Sequence, residues 1–426
     1  MDASVYVQQL VALRRELHRT PEIGWSEFVT TARVIGLLRD YGFDVLAGPR
    51  AIARDHTLGR EPAVVAAGLA YARSRGVDEA LLAEMEELTG CVGIWRTGRP
   101  GPVLALRFDI DCVNVEESAA PEHLPAAQGF ASERAGLMHA CGHDGHTAIG
   151  LTVARWIAEH AGDLGGTIKL LFQPAEEGVR GAAAMAAAGV VDDVDVFVGA
   201  HLAMMAPTGE IVTAPRGFLC TTKLDLGFHG KPAHAGVEPQ LGRNALAAAA
   251  HAVTQLLGIS RHGGGMTRIN VGEMRAGEGR NVIPVHAELK LEVRGETAEI
   301  NQYMVDQVRA IAEGVAKSFG VAFEIEKMGE AVDLVNDPAL VDVIAEVAAS
   351  VPGVAKVTAA ANFGGSEDAT ILARRVQARG GQAAYFVIGS HRPAGHHQAE
   401  FDIDEASLPI GFELFKGLLL RLAPCR

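Results

Sequence analysis

Residues 5–18 place Val7, Leu10, Val11, Leu13 and Leu17 at helical spacing with charge on the opposite face, which predicts an amphipathic helix. A second helix is expected from about Ser26 to Tyr41, stopped by Gly42. Residues 48–90 read as mostly helical and polar, end at Gly90, and look like an insertion ahead of the core strand. Short apolar runs then alternate with helical stretches. The runs are VLALRF at 103–108, TIKLLF at 167–172 and VDVFVGA at 194–200, with helices at about 145–160 and 180–189. Continuous apolar strands joined by helices are buried on both faces, the pattern of an α/β sheet. A helix at 365–377, a strand at 383–388 and a helix at 404–422 resume that style after a gap.

The pattern changes in between. TKLDLGFHG at 222–230 alternates apolar and polar residues, as a sheet with one solvated face should. A helix at 242–259 follows, then strands at 268–274 and 286–295, a helix at 297–319 and a strand at 321–327. That order is β-α-β-β-α-β, the ferredoxin-like plan. A small α+β domain, residues 214–332, is therefore expected to interrupt a larger α/β domain made of residues 1–213 and 333–426.

Composition narrows the class. With 48% apolar and 21% charged residues the chain is not a disordered tail protein. Its 38 basic and 52 acidic residues leave a net charge of −14, which repels phosphate, so neither nucleic acid nor an anionic membrane is an expected partner. Five widely spaced cysteines make no disulfide framework and predict reduced thiols in a cytoplasm. The N-terminus lacks a signal-peptide pattern, because Asp2 comes early and the arginines follow the apolar residues. No run approaches the roughly 20 apolar residues of a membrane span; the alanine-rich stretch near Ala245 is broken by His251 and Gln255.

The chemistry concentrates at the ends of the apolar strands. In MHACGHDGHTA, residues 138–148, Cys141 and His143 are two apart, so one loop could present a thiolate and an imidazole to a transition metal. His139 and His146 crowd the same loop and are expected to support or cap, because a loop rarely aims four side chains at one ion. Glu176 and Glu177 lie beyond the strand TIKLLF, where open α/β sheets bind ligands. Adjacent residues in extended chain face opposite ways, so one glutamate should ligate while the other acts as general base toward metal-activated water. His201 ends the run VFVGA, and His396 and His397 precede the last helix. Each piece alone has a plain structural explanation, but together they supply thiolate, imidazole and carboxylate to one domain.

RRELHRTPEIGWSE (14–27), RFDIDCV (107–113), HACGHDGHTA (139–148), FQPAEEGVRGA (172–182), PAHAG (232–236), NVIP (281–284) and GSEDAT (365–370) occur in that order. They resemble the M20 metallopeptidase/amidohydrolase family, in its aminoacylase and auxin-conjugate hydrolase branch, along nearly the whole chain. Within that branch the likeness is greatest to the p-aminobenzoyl-glutamate hydrolases. The resemblance implies a zinc-peptidase-like three-layer catalytic domain and an inserted ferredoxin-like lid that makes dimers. It implies the metal ligands Cys141, His143, Glu177, His201 and His397, holding one or two Mn2+ or Zn2+ ions, with Glu176 as general base. His397 is preferred to His396 because it precedes Phe401 by four residues, matching the family's H-x-x-x-F spacing; the intervening Gln398, Ala399 and Glu400 depart from the Ser-Pro-aromatic of many relatives. Asp109 and Asp111 match the family's aspartate pair, and Asp111 is expected to orient a ligand histidine. In the family the histidine at His234 enters the site of the dimer mate and stabilises the oxyanion. Asn281 and Arg294 resemble substrate-binding positions, with Arg280 as an alternative; a guanidinium forks onto a carboxylate, so an acidic substrate is implied.

The leading expectation is therefore metal-dependent hydrolysis of a C–N bond, the substrate being a small aromatic carboxylate such as an aminobenzoyl-glutamate or another N-acyl amino acid. An alternative keeps the site and removes the amino group of an activated, nitro-substituted anthranilate by hydrolytic aromatic substitution. A non-catalytic partner chain is a third reading, against which Glu176 and all five ligand positions are intact. A homodimer through the lid is expected, and a homologous second chain is a further expected partner.

Overall fold

The structure, a computed structural model, describes residues 3–425. It contains twelve strands: β1 Asp44–Ala47, β2 Cys91–Arg96, β3 Val103–Asp109, β4 Thr167–Gln173, β5 Val196–Leu202, β6 Glu210–Val212, β7 Cys220–His229, β8 Thr267–Ala276, β9 His286–Gly295, β10 Ala322–Ala331, β11 Lys356–Thr358 and β12 Gln382–Ile388. The described residues fall into two compact units. One runs to Arg216 and continues at Leu334–Phe363 and from Asp368 onward; the other is Gly217–Asp333 with Gly364–Glu367. The divisions lie within a few residues of those expected at 214 and 332, but the short stretch Gly364–Glu367 groups with the smaller unit instead of the larger.

The larger unit is built on an eight-stranded sheet of order β1-β2-β4-β3-β5-β12-β6-β11. Its centre, β4, β3, β5 and β12, is parallel, and β2 and β1 extend one edge antiparallel. The four central strands are buried almost end to end, as strands covered by helices on both faces must be. Phe108 on β3 packs against Phe172 on β4 and Phe415 on the last helix, Ser407–Leu422. Helix His143–Glu159 lies so close that a Cβ added to Gly150 would come within 2.6 Å of the Phe108 ring.

The 48–90 region holds two 3-10 turns and the helices Pro62–Ser74 and Glu79–Met85. Asp78 caps the second helix by accepting the Ala80 N–H at 3.0 Å. Strands β1, β2, β6 and β11 and helix Pro338–Ser350 were not anticipated from the sequence pattern. Three of these strands have only three or four residues, and β2 carries a glycine, so none shows a clear alternation or a long apolar run.

The smaller unit runs β7, helix Ala245–Leu257, β8, β9, helix Ala298–Phe319, β10, and its antiparallel sheet has the order β10-β7-β9-β8. This is the expected ferredoxin-like arrangement. Alternate residues Leu224, Leu226 and Phe228 of β7 and Leu289, Leu291 and Val293 of β9 face inward. They pack against the small apolar stripe Ala245, Ala248, Ala249 and Ala252 and against Met304, Val308 and Ala312. Thr297 caps the second helix and Gly320 ends it in the left-handed conformation.

Among the described residues no helix is long and apolar enough to cross a membrane. Among the described residues no disulfide joins Cys91, Cys112, Cys141, Cys220 or Cys425 to another cysteine.

Candidate metal centre and active site

The chain reaches the site at the carboxyl ends of β3, β4 and β5. Between Cys141 and His143 stands Gly142 at φ +88°, a left-handed conformation that glycine adopts without steric cost and that lets the tight turn enter helix His143–Glu159. His143 is fully buried. Its Nδ1 is 3.0 Å from the Asp111 carbonyl oxygen and 3.3 Å from Asp111 Oδ1. A carbonyl can only accept, so Nδ1 carries a proton, and in its neutral form the ring would turn the lone pair of Nε2 outward. That atom is buried without a hydrogen-bond partner, 3.7 Å from Asp109 Oδ2 and 3.9 Å from Glu176 Oε2.

His201 is arranged the same way. Its Nδ1 donates to the Leu202 carbonyl at 2.6 Å, and its Nε2 lies 3.6 Å from Cys141 Sγ. His146 is excluded from ligation by its own bonds: Nε2 accepts the Leu202 N–H at 2.8 Å, which leaves Nδ1–H for Asp109 Oδ1. His139 is buried with neither ring nitrogen partnered, and burial lowers its pKa to about 3. His139 joins no group of converging ligand atoms, and both ring nitrogens of His146 are already engaged.

His397 Nε2 lies 3.2 Å from Glu177 Oε1, and the His397 N–H donates to the Ala140 carbonyl at 2.9 Å, which fastens its loop to the Cys141 segment. His397 has φ +60°, unusual for a side chain with a Cβ and of the kind that functional sites hold. The neighbouring His396 is engaged instead by Arg392, whose guanidinium donates to Nδ1 at 2.6 Å. Burial and then that cation lower the His396 pKa to about 4.

Ligand atoms of Cys141, His143 and His201 lie within 4.8 Å of one another, as do those of Cys141, Glu177 and His397 and those of His143, Glu176 and Glu177. The three groups share members, so six side chains form one cluster. Its electrostatics call for a cation. Burial alone would lower the pKa of His143, yet the charge of Asp109, the hydrogen bond to Asp111 and the Cys141 thiol raise it well above the usual range. Hydrogen bonds to Cys141 and Glu177 likewise raise His397 to about 10. Anionic partners that draw protons onto two imidazoles would equally hold a divalent ion, and thiolate, imidazole and carboxylate suit a transition metal. The Nε2 of His143, buried without a hydrogen-bond partner, fits the same conclusion.

Asp111 orders the site from behind, since its carbonyl and Oδ1 meet His143 while its Oδ2 accepts the Glu177 N–H at 2.9 Å. Three groups that the sequence reading did not single out support it. Arg107, buried in β3, donates to Gln173 at 2.8 Å, Asp109 at 2.7 Å and Asp368 at 3.3 Å. Asp368 also accepts the N–H groups of Gly181 and Ala182, both at 3.0 Å. Glu27 accepts from the Thr89 hydroxyl at 2.6 Å and the Ala175 N–H at 2.8 Å, and burial with the nearby Asp111 charge lifts its pKa to about 8. The signals the sequence offered were an arginine inside the apolar run VLALRF and the places of Glu27 and Asp368 within the motifs at 14–27 and 365–370.

In the smaller unit, backbone bonds from Ala235 N–H to Asn281 and from Ile283 N–H to Ala233 lay the His234 and Asn281 segments side by side. His234 is exposed. Its Nδ1 accepts the Gly236 N–H at 3.1 Å, so the neutral ring carries its proton on Nε2 and presents a donor. Arg280 is exposed next to Asn281. Arg294 is at the far end of β9, roughly 30 Å along a ten-residue strand, and is paired with Glu292 at 2.9 Å. The structure brings together His234, Asn281 and Arg280, and leaves Arg294 apart.

A family model described as peptidase family M20/M25/M40 matches residues 105–421, and the chain belongs to this family of metal-dependent hydrolases. It is 55% identical over 417 residues, 98% of this chain and 99% of the other, to a Haemophilus influenzae homolog of the A chain of p-aminobenzoyl-glutamate hydrolase, one of that enzyme's subunits. It is 45% identical over 415 residues, 96% of this chain and 95% of the other, to an indole-3-acetyl-aspartic acid hydrolase of Enterobacter agglomerans. Among solved structures, an aminobenzoyl-glutamate utilization protein from Klebsiella pneumoniae superposes with a TM-score of 0.84 at 38% identity, covering 99% of this chain and 98% of that one. A Bacillus subtilis protein described as a dinuclear metal-binding peptidase of the M20 family superposes with a TM-score of 0.68 at 25% identity, covering 99% of each.

Proposed function

We propose that this hydrolase cleaves the amide bond of an aromatic acyl-amino acid, with p-aminobenzoyl-glutamate as the first substrate to try. The observation that carries the reading is the cluster of Cys141, His143, Glu177, His201 and His397 around Glu176 at three strand ends. Those five side chains would hold Mn2+ or Zn2+. Cys141 belongs to two of the triads, so the cluster would have room to hold one ion or two. When bound, a divalent ion polarises a carbonyl oxygen and makes water acidic near neutral pH.

The chain's own residues supply the rest. Glu176, only 8% exposed and 3.9 Å from the His143 ring nitrogen, accepts the proton of the attacking water and returns it to the leaving nitrogen. Asp111 fixes the His143 tautomer and the Glu177 backbone. His234, with its proton on Nε2, is suited to donate to the oxyanion. Asn281 and Arg280 bind the substrate's carboxylate end, whereas Arg294, at the opposite end of β9 and paired with Glu292, does not share that work within one chain.

Both named relatives act on amides of amino acids, so displacement of an amino group from a nitroanthranilate is not favoured. The wide spacing of five cysteines along the chain, which makes no disulfide framework, supports a reducing, cytoplasmic location. The free edge of the ten-residue strand β8 supports a homodimer of lids. That the Haemophilus relative is named for one of several subunits supports a homologous second chain as partner. The test is the release of glutamate from p-aminobenzoyl-glutamate by the chain loaded with Mn2+ or Zn2+. Release is expected with at least one of these ions, and no release of amino acid from any aromatic acyl-amino acid would overturn the proposal.

A further inference from the structure

We infer that Arg14, on the N-terminal helix Ala3–Arg19, is a positioning residue for the metal centre that ties together the two chain segments carrying Cys141, His143 and His397. The inference rests on those residues holding the ion. Arg14 is fully buried, an unusual place for a guanidinium, and it spends its donors on two separate segments. Its Nε donates to Asp144 Oδ2 at 2.8 Å, and Asp144 directly follows His143 in the chain. Its Nη2 donates to Asp402 Oδ1 at 2.5 Å, and Asp402 follows the His397 loop; Nη1 reaches Glu405 at 3.5 Å.

The carboxylates are built to need this cation. Asp144 and Asp402 are themselves buried, and each also accepts a backbone N–H, of Gly145 and Ile403 respectively, at 2.9 and 2.8 Å. Without the guanidinium, buried anions would face one another across the junction of the two segments. The bond from His397 N–H to the Ala140 carbonyl joins the segments directly, and a shift of either would strain it and open the spacing between Cys141 and His397.

A second arm steadies Asp144. His18, one turn along the same helix, places Nδ1 2.7 Å from Asp144 Oδ2 and Nε2 2.9 Å from Glu117, which also meets His123 at 2.9 Å. Lysine would replace Arg14 only in part, because its ammonium keeps the charge but lacks the rigid fork that aims donors at both carboxylates.

Arg15 provides the internal control. It sits next in the helix and pairs with the same Glu405 at 2.6 Å, but half-exposed and without reaching Asp144 or Asp402. The experiment measures the dissociation constants of Mn2+ and Zn2+ by chelator competition, and the thiolate-to-cobalt absorption of the Co2+-loaded chain. Arg14→Met and Asp402→Asn are expected to weaken metal binding about 10–100-fold and to change the cobalt spectrum. Arg14→Lys should recover part of the loss, and Arg15→Gln should leave both readouts at wild-type values. Circular dichroism shows which variants fold, and if Arg14→Met does not, Asp402→Asn carries the test. Folded Arg14→Met or Asp402→Asn with wild-type affinity and spectrum overturns the inference, as does an equal loss in Arg15→Gln. Wild-type chain that binds no metal, or binds it undiminished after Cys141→Ala, would instead overturn the ligand assignment beneath it.

Discussion

Two bonds to backbone carbonyls decide what His143 and His201 can do. Each uses Nδ1–H on a peptide oxygen, so each in its neutral form offers Nε2 as a lone pair, and His146 fails as a ligand only because Leu202 N–H has taken that position. Residue types at strand ends made Cys141, His143, Glu177, His201 and His397 legible in the sequence, together with a family resemblance. The tautomers were not, since they depend on atoms of other segments. Arg107 and Asp368 were hidden for the same reason, as 261 positions separate partners 3.3 Å apart. Glu176 gives the prediction that belongs to this scale. Glu176→Gln keeps the volume and removes the base, so kcat should fall about 10²–10⁴-fold while metal content, read by atomic absorption, stays at the wild-type level. Undiminished turnover in that variant would remove Glu176 from its role.

At the scale of elements, periodicity was informative wherever an element was long. The alternation along β7 and β9 and the apolar runs of β3, β4 and β5 placed the strands that matter. The three- and four-residue strands at the sheet margins and helix Pro338–Ser350 went unseen. Helix–sheet distance was equally invisible, because it is set by which helical residue lacks a side chain. Two glycines test this. Gly36, in helix Phe28–Asp40, has nothing within 4 Å of an added Cβ, so Gly36→Ala should raise stability by about 0.5–1 kcal/mol. Gly150→Ala would press on Phe108 from 2.6 Å and should lower stability by about 1–3 kcal/mol despite alanine's better helix propensity. Urea unfolding of both variants checks the opposite signs; a stabilised Gly150→Ala would show that the helix can ride away from the sheet.

At the scale of the whole molecule, the β-α-β-β-α-β order inside a parallel α/β chain was enough to expect two units. It did not show that Gly364–Glu367 groups with the smaller one. A chain of net charge −14 that takes an anionic substrate must offset that field locally, which a divalent cation and Arg280 would do. If lids pair through β8, light scattering should give twice the chain mass; a monomer with full activity would show that no partner contributes to catalysis.

The central claim is that bound metal makes this chain an amide hydrolase. It is tested most directly by measuring metal content and glutamate release on the same samples, stripped with chelator and then titrated with Mn2+ or Zn2+. Turnover of p-aminobenzoyl-glutamate should vanish on stripping and return in proportion to metal bound, levelling at one or two ions per chain. Full turnover by the stripped chain would contradict the account.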